Sequence, residues 1–180
     1  TRVQCSLDDE FMLVSVPDDR ETFRINGDRM TPGISVSNSE VGLAALSIST
    51  FTLRLVCTNG MISKTAVSAS YRHVSSKLLS NLPGVLNELK QGFGQQREQL
   101  QISLESKVEN PEATIESFNR HFELRKEEKE AVEWALAQEY GFTMFSVVNT
   151  YTKAAQYELL SAESRFRLQK VGGMVLGMVN

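Results

Sequence analysis

Two hydrophobic periodicities divide this chain, and the division constrains its fold more than any other feature. Up to about residue 73, apolar residues alternate with polar ones in short runs bounded by turn residues, the two-residue repeat of strands. From about residue 76 they recur at three- and four-residue spacing, the repeat of helices that bury one stripe. Strands gathered in one half and helices in the other predict an α+β fold, with an antiparallel sheet from the N-terminal half packed against helices from the C-terminal half. The 180 residues suffice for one sizeable core. A single domain over 1–180 is therefore expected, strand-rich across 10–73 and helix-rich across 76–180.

Glu10–Val16 (EFMLVSV) reads as a first strand closed by Pro17-Asp18-Asp19, and Glu21–Ile25 as a second. Asn26-Gly27-Asp28 then predicts a tight hairpin turn, because Asn and Gly both tolerate positive φ. Ile34 and Val36 alternate with Ser35 and Ser37. Leu43–Cys57 reads as the central strand, with apolar residues at even positions (Leu46, Ile48) and then at odd ones (Phe51, Leu53, Leu55). A β-bulge or a bend near Ser49-Thr50 would restore the phase. Thr58-Asn59-Gly60 reads as a further turn and Ala66–His73 as a last strand.

Ser75 or Ser76 can cap a helix from Lys77 that carries Leu78, Leu79, Leu82, Leu86 and Leu89, with Pro83 kinking it or starting a second one. Gly92-Phe93-Gly94 predicts a flexible break before a surface helix over Gly94–Glu109. Further helices are expected from Pro111, over Lys126–Tyr140, and within Thr143–Val179, where Gly172, Gly173 and Gly177 have the spacing for close helix contact. Leu53, Leu55, Trp134 and Leu136 are expected in the core.

No stretch approaches the roughly 18 to 20 consecutive apolar residues that span a bilayer, so no membrane segment is expected. Thr1–Asp8 lacks the apolar core of a signal peptide and does not begin with Met, as a processed fragment would. Cys5 and Cys57 are too few for a disulfide framework, which predicts two thiols not bonded to each other and a reducing cytoplasm. Neither has metal-ligand spacing with His73 or His121, and no nucleophile motif is present. The carboxylates of Arg125–Glu139 read as a solvated helix face. No catalytic residue, metal or cofactor is expected.

The net charge of −3 argues against a uniformly basic coat, yet the charge is uneven. Between Val41 and Arg97 six bases face a single acid, Glu88, whereas Glu98–Tyr140 is rich in glutamate. Arg54, Lys64, Tyr71, Arg72, His73 and Lys77 form the candidate nucleic-acid-binding set, cations for phosphates beside an aromatic ring for base stacking. It depends on the strands around Arg54 and Tyr71 pairing so that these groups share one surface. The competing reading is a scattered, solvated basic face.

Ile34–Leu46 (ISVSNSEVGLAAL), Arg54–Met61 (RLVCTNGM) and Arg72-His73, with Asn149–Ala155 and Leu168–Leu176 late in the chain, resemble the phage/plasmid-like family of domains of unknown function. The resemblance implies a cytoplasmic protein of a bacteriophage, plasmid or integrated element, and it implies no reaction. The expected function is thus a non-enzymatic, DNA-associated accessory protein, binding or annealing single-stranded DNA as an oligomer. The alternative is a protein-interaction or assembly module with no nucleic-acid binding, to which the acidic helical half and the glycine-spaced last helix point.

Overall fold

A computed structural model of the chain describes residues 3–39, 46–54, 59–62, 69–71 and 76–179. The architecture is α+β, as the two periodicities predict. The strands are β1 (Gln4–Leu7), β2 (Met12–Pro17), β3 (Phe23–Ile25), β4 (Asp28–Asn38), β5 (Leu46–Arg54), β6 (Asn59–Ile62) and β7 (Ala69–Tyr71). They form one antiparallel sheet in the order β1-β2-β4-β5-β6, with β3 added to β4 and β7 to β5. The helices α1 (Ser76–Glu105), α2 (Pro111–His121), α3 (Lys126–Leu136), α4 (Met144–Ala154) and α5 (Ala162–Leu176) follow.

The β3–β4 hairpin turns where the sequence predicts. Asn26 at φ 50° and Gly27 at φ 82° supply the two positive values that a tight primed turn needs. The bulge expected near Ser49-Thr50 is not formed. β5 pairs with β4 without interruption from Met30↔Arg54 to Ser37↔Ser47. The change of parity has another cause: every residue from Ile48 to Leu53 is buried, so β5 is covered on both faces and either side can be apolar. Asn59 and Gly60 also depart from expectation. They lie in β6 opposite Arg54 and Leu53 rather than in the turn.

β1 is an element the sequence reading did not find. The four residues 8–11 join it to β2, closed by Asp8, whose carboxylate accepts the N–H groups of Glu10 (3.0 Å) and Phe11 (2.8 Å). The other Asp8 oxygen accepts the Ala162 N–H (2.9 Å), fastening this hairpin to the first turn of α5.

α1 is one continuous helix, so the break expected at Gly92-Phe93-Gly94 does not occur, and Pro83 lies inside it. Tertiary cover explains this: Leu89, Gly92, Gln96 and Leu100 are all buried. α3 ends at Leu136, short of Tyr140. Its buried face is Glu128, Ala131, Val132 and Ala135. Trp134, expected in the core, sits off that face at 37 % exposure, its ring tilted against that of Tyr157 and beneath the Lys153 ammonium. Leu53 is buried as expected and Leu136 half-buried; Leu55 and Cys57 lie outside the described residues.

Two clusters make the core. The larger joins helices α1 to α5 to Ile25, Met30 and Met61 of the sheet, and the smaller joins Phe11, Leu13, Phe51, Leu53 and Ile62 to Ala162 and Phe166 of α5. Two glycines permit close approaches. At Gly33 a Cβ would strike the Val16 carbonyl oxygen and lie 2.5 Å from a Phe51 ring carbon. At Gly172 it would lie 2.8 Å from Thr152 Cγ2, so the small residue expected to allow helix contact sits where α5 meets α4.

Candidate functional site

Of the six residues in the candidate nucleic-acid set, Lys64, Arg72 and His73 lie outside the described residues. Arg54 ends β5, and its guanidinium is held by two carboxylates, Nε by Asp28 Oδ2 at 2.7 Å and one terminal nitrogen by Glu139 Oε2 at 2.7 Å. All three side chains are largely buried. Burial opposes the charge, but the hydrogen bonds and charges of Glu139 and Asp28 more than offset it, so the Arg54 pKa lies above its ordinary value. Glu139 belongs to the acidic segment read as solvated, yet here it ties that segment to the sheet.

β7 does pair with β5, but through Tyr71↔Leu46, at the far end from Arg54. Eight residues of strand separate the two positions, about 26 Å at 3.3 Å per residue. The fold therefore does not set Arg54 and Tyr71 side by side. Lys77 lies in the first turn of α1, six residues beyond Tyr71.

Other arginines serve the helical half. Arg165 donates to the carbonyls of Leu160, Ala155 and Glu158, and Arg167 to those of Phe122 and Glu123. Arg165 thereby ties down the connection between α4 and α5, and Arg167 the chain just past the end of α2. Arg24 and Arg29 are exposed, and the β3–β4 register sets them directly opposite each other. The turn at Asn26-Gly27 fixes that register, so the pair was legible in the sequence though not singled out.

The most distinctive surface is the sheet itself. In β2 and the second half of β4 the buried side carries Leu13 with three serines, and the opposite side carries a row of larger apolar residues. Ser15, Ser35 and Ser37 are buried, with Ser15 Oγ donating to Ser35 Oγ at 3.1 Å across the ladder. Met12, Val14, Ile34 and Val36 are half-buried on the opposite side, Val16 is 43 % exposed, and β1 adds Val3 at 54 %, Leu7 at 71 % and an exposed Cys5 thiol. The register keeps them together, pairing Cys5 with Val14, Leu7 with Met12, Val14 with Val36 and Val16 with Ile34. α5 covers the serine face, and α1 crosses the other face near Thr50, where a Cβ on Gly92 would lie 3.9 Å from the Thr50 methyl group. Among the described elements the only helix in extended contact with β2 is α5.

Among the described residues no group of His, Cys, Asp and Glu could hold a metal ion, and no helix is long and apolar enough to cross a membrane. No protein-family model matches the chain, and no curated protein or solved structure matches it.

Proposed function

We propose that this domain is a protein-interaction or assembly module whose binding surface is the apolar sheet face of Val3, Cys5, Leu7, Met12, Val14, Val16, Ile34 and Val36. The observation that carries the reading is the unbroken apolar row on the side of β1, β2 and β4 that α5 does not cover. Register assigns every side chain of a strand to a face, so burying Leu13 on the α5 side also fixes Ser15, Ser35 and Ser37 inward and the valines outward. Burying serines while leaving a continuous apolar face to water costs stability in an isolated domain, and such faces mark protein interaction sites. The neighbouring arginines agree with this reading, since Arg54, Arg165 and Arg167 are occupied by carboxylates and carbonyls.

The double variant Val14→Arg/Val36→Arg tests it. Sedimentation should show that self-association or complex formation with a purified partner falls by more than about tenfold, with the fold retained by circular dichroism although the two like charges placed opposite each other lower the melting temperature. Associations that all survive this change would overturn the reading.

A second reading, a single-stranded DNA accessory protein of a phage or plasmid, is favoured by Arg24 and Arg29. Like charges directly opposite on a ladder repel, and a bound phosphate would relieve them. A titration with single-stranded DNA at two salt concentrations decides it: salt-sensitive affinity lost in Arg24→Ala/Arg29→Ala supports it, and no binding at low salt removes it.

A further inference from the structure

We infer that β1 is where a second copy of this chain docks, pairing antiparallel with its own counterpart about a two-fold axis through Cys5. The inference rests on the interaction-module reading and names its partner.

β1 pairs with β2 through Gln4↔Ser15, Cys5↔Val14, Ser6↔Leu13 and Leu7↔Met12, and no described strand lies on its other side. Which groups face outward follows from the loop. The Asp8 N–H donates to the Phe11 carbonyl at 3.1 Å, so Asp8 and Phe11 are a hydrogen-bonded pair. Bonded and non-bonded pairs alternate along an antiparallel ladder. Ser6 and Gln4 therefore bond to β2, and the backbone N–H and C=O of Val3, Cys5 and Leu7 point away from it.

This edge lacks the usual protection. Protein edges are blunted by charge, proline or a bulge, and Val3-Gln4-Cys5-Ser6-Leu7 contains no charge and no proline and pairs with β2 in unbroken register. The strand is also complementary to itself. With Cys5 opposite its copy, Val3 falls opposite the other Leu7 and Leu7 opposite the other Val3, so all three outward-facing residues of each strand exchange both backbone bonds.

Both sides of the strand then find matching surroundings. Val3, Cys5 and Leu7 of the two copies join the Met12–Val14–Val16 rows into one apolar face spanning both sheets. Gln4 and Ser6 fall on the other side, beside a cavity of about 610 Å³ whose lining includes Ser15, Gln156 and Gln169. An isologous contact of this kind closes as a dimer.

Sedimentation equilibrium should give twice the 20.1 kDa chain mass. Cys5→Pro removes an N–H that β2 does not use and should give monomers of unchanged melting temperature. Val3→Lys/Leu7→Lys sets like charges across both outer pairs and should weaken the dimer by more than about tenfold, whereas Val3→Lys/Leu7→Glu sets opposite charges there and should restore it. Val3 and Leu7 are exposed, so the charge variants decide the matter even if Cys5→Pro fails to fold. A monomeric wild type at about millimolar concentration overturns the inference, as does a dimer indifferent to all three variants. A monomer that still loses a purified partner on Val14→Arg/Val36→Arg overturns self-pairing while the interaction-module reading stands.

Discussion

Single side chains carry disproportionate weight where they are buried and polar. Tyr151 is fully buried, its hydroxyl donating to Asn119 Oδ1 at 2.9 Å with the Ile115 carbonyl at 3.1 Å, and burial pushes its phenol well above the usual range. Tyr151→Phe keeps the ring but leaves those acceptors unpaired, so chemical denaturation should show a loss of about 1–3 kcal/mol. Arg54 is the other such residue. Removing it takes away the cation that Asp28 and Glu139 share, and Arg54→Ala should cost about 3 kcal/mol, the low end for a broken buried pair because some exposure persists. If Arg54 also meets a phosphate, the same variant would in addition lower salt-dependent affinity for DNA. Gln96 is buried on α1 with neither side-chain atom hydrogen-bonded, and Thr50 Oγ1 and Thr52 Oγ1 of β5 are in the same condition. Replacing Gln96 with Met is expected to leave stability unchanged or raise it.

Among the elements, α1 shows most plainly how tertiary cover overrides local signals. Gly84 and Gly94 lie within it, and at neither would an added Cβ meet anything within 4 Å. Glycine there is a cost to helix stability with no packing return, so Gly84→Ala and Gly94→Ala should each stabilise by about 0.5–1 kcal/mol. Calorimetry should register roughly 2–4 °C per kcal/mol for a domain of this size. Gly33 in β4 gives the opposite result. Its Cβ would collide with backbone and with Phe51, so Gly33→Ala should lower stability by about 1–3 kcal/mol.

Across the whole molecule, one carboxylate joins the two ends of the chain. Hydrogen bonds from the N–H groups of Glu10, Ala162 and Phe11, that of Glu10 the strongest, hold Asp8 below its ordinary value against a smaller opposing effect of desolvation. A group whose folded pKa is depressed stabilises fully above its unfolded value, here 3.8, and that contribution disappears as pH falls through the lower folded pKa. Acid titration should therefore loosen the β1–β2 hairpin from α5. Asp8→Asn should melt below the wild type at neutral pH, and the difference should shrink below 3.8. Equal differences at all pH values would refute the linkage.

The sequence by itself determined the class of fold, because a two-residue and a 3.6-residue periodicity cannot be exchanged, and Asn26-Gly27 determined one hairpin because few residue pairs accept two positive φ values. It showed the alternation Ile34-Ser35-Val36-Ser37 without showing which set faces the helices, since a period of two is satisfied equally by either face. Tertiary structure chose: α5 covers the serine side, and the valine side became the candidate surface. Spacing could count the cations around Arg54 and Tyr71 but could not tell that antiparallel pairing sends them to opposite ends of β5. Nor could it supply Asp28 and Glu139, 26 residues before and 85 after Arg54, whose carboxylates only the folded chain brings to its guanidinium.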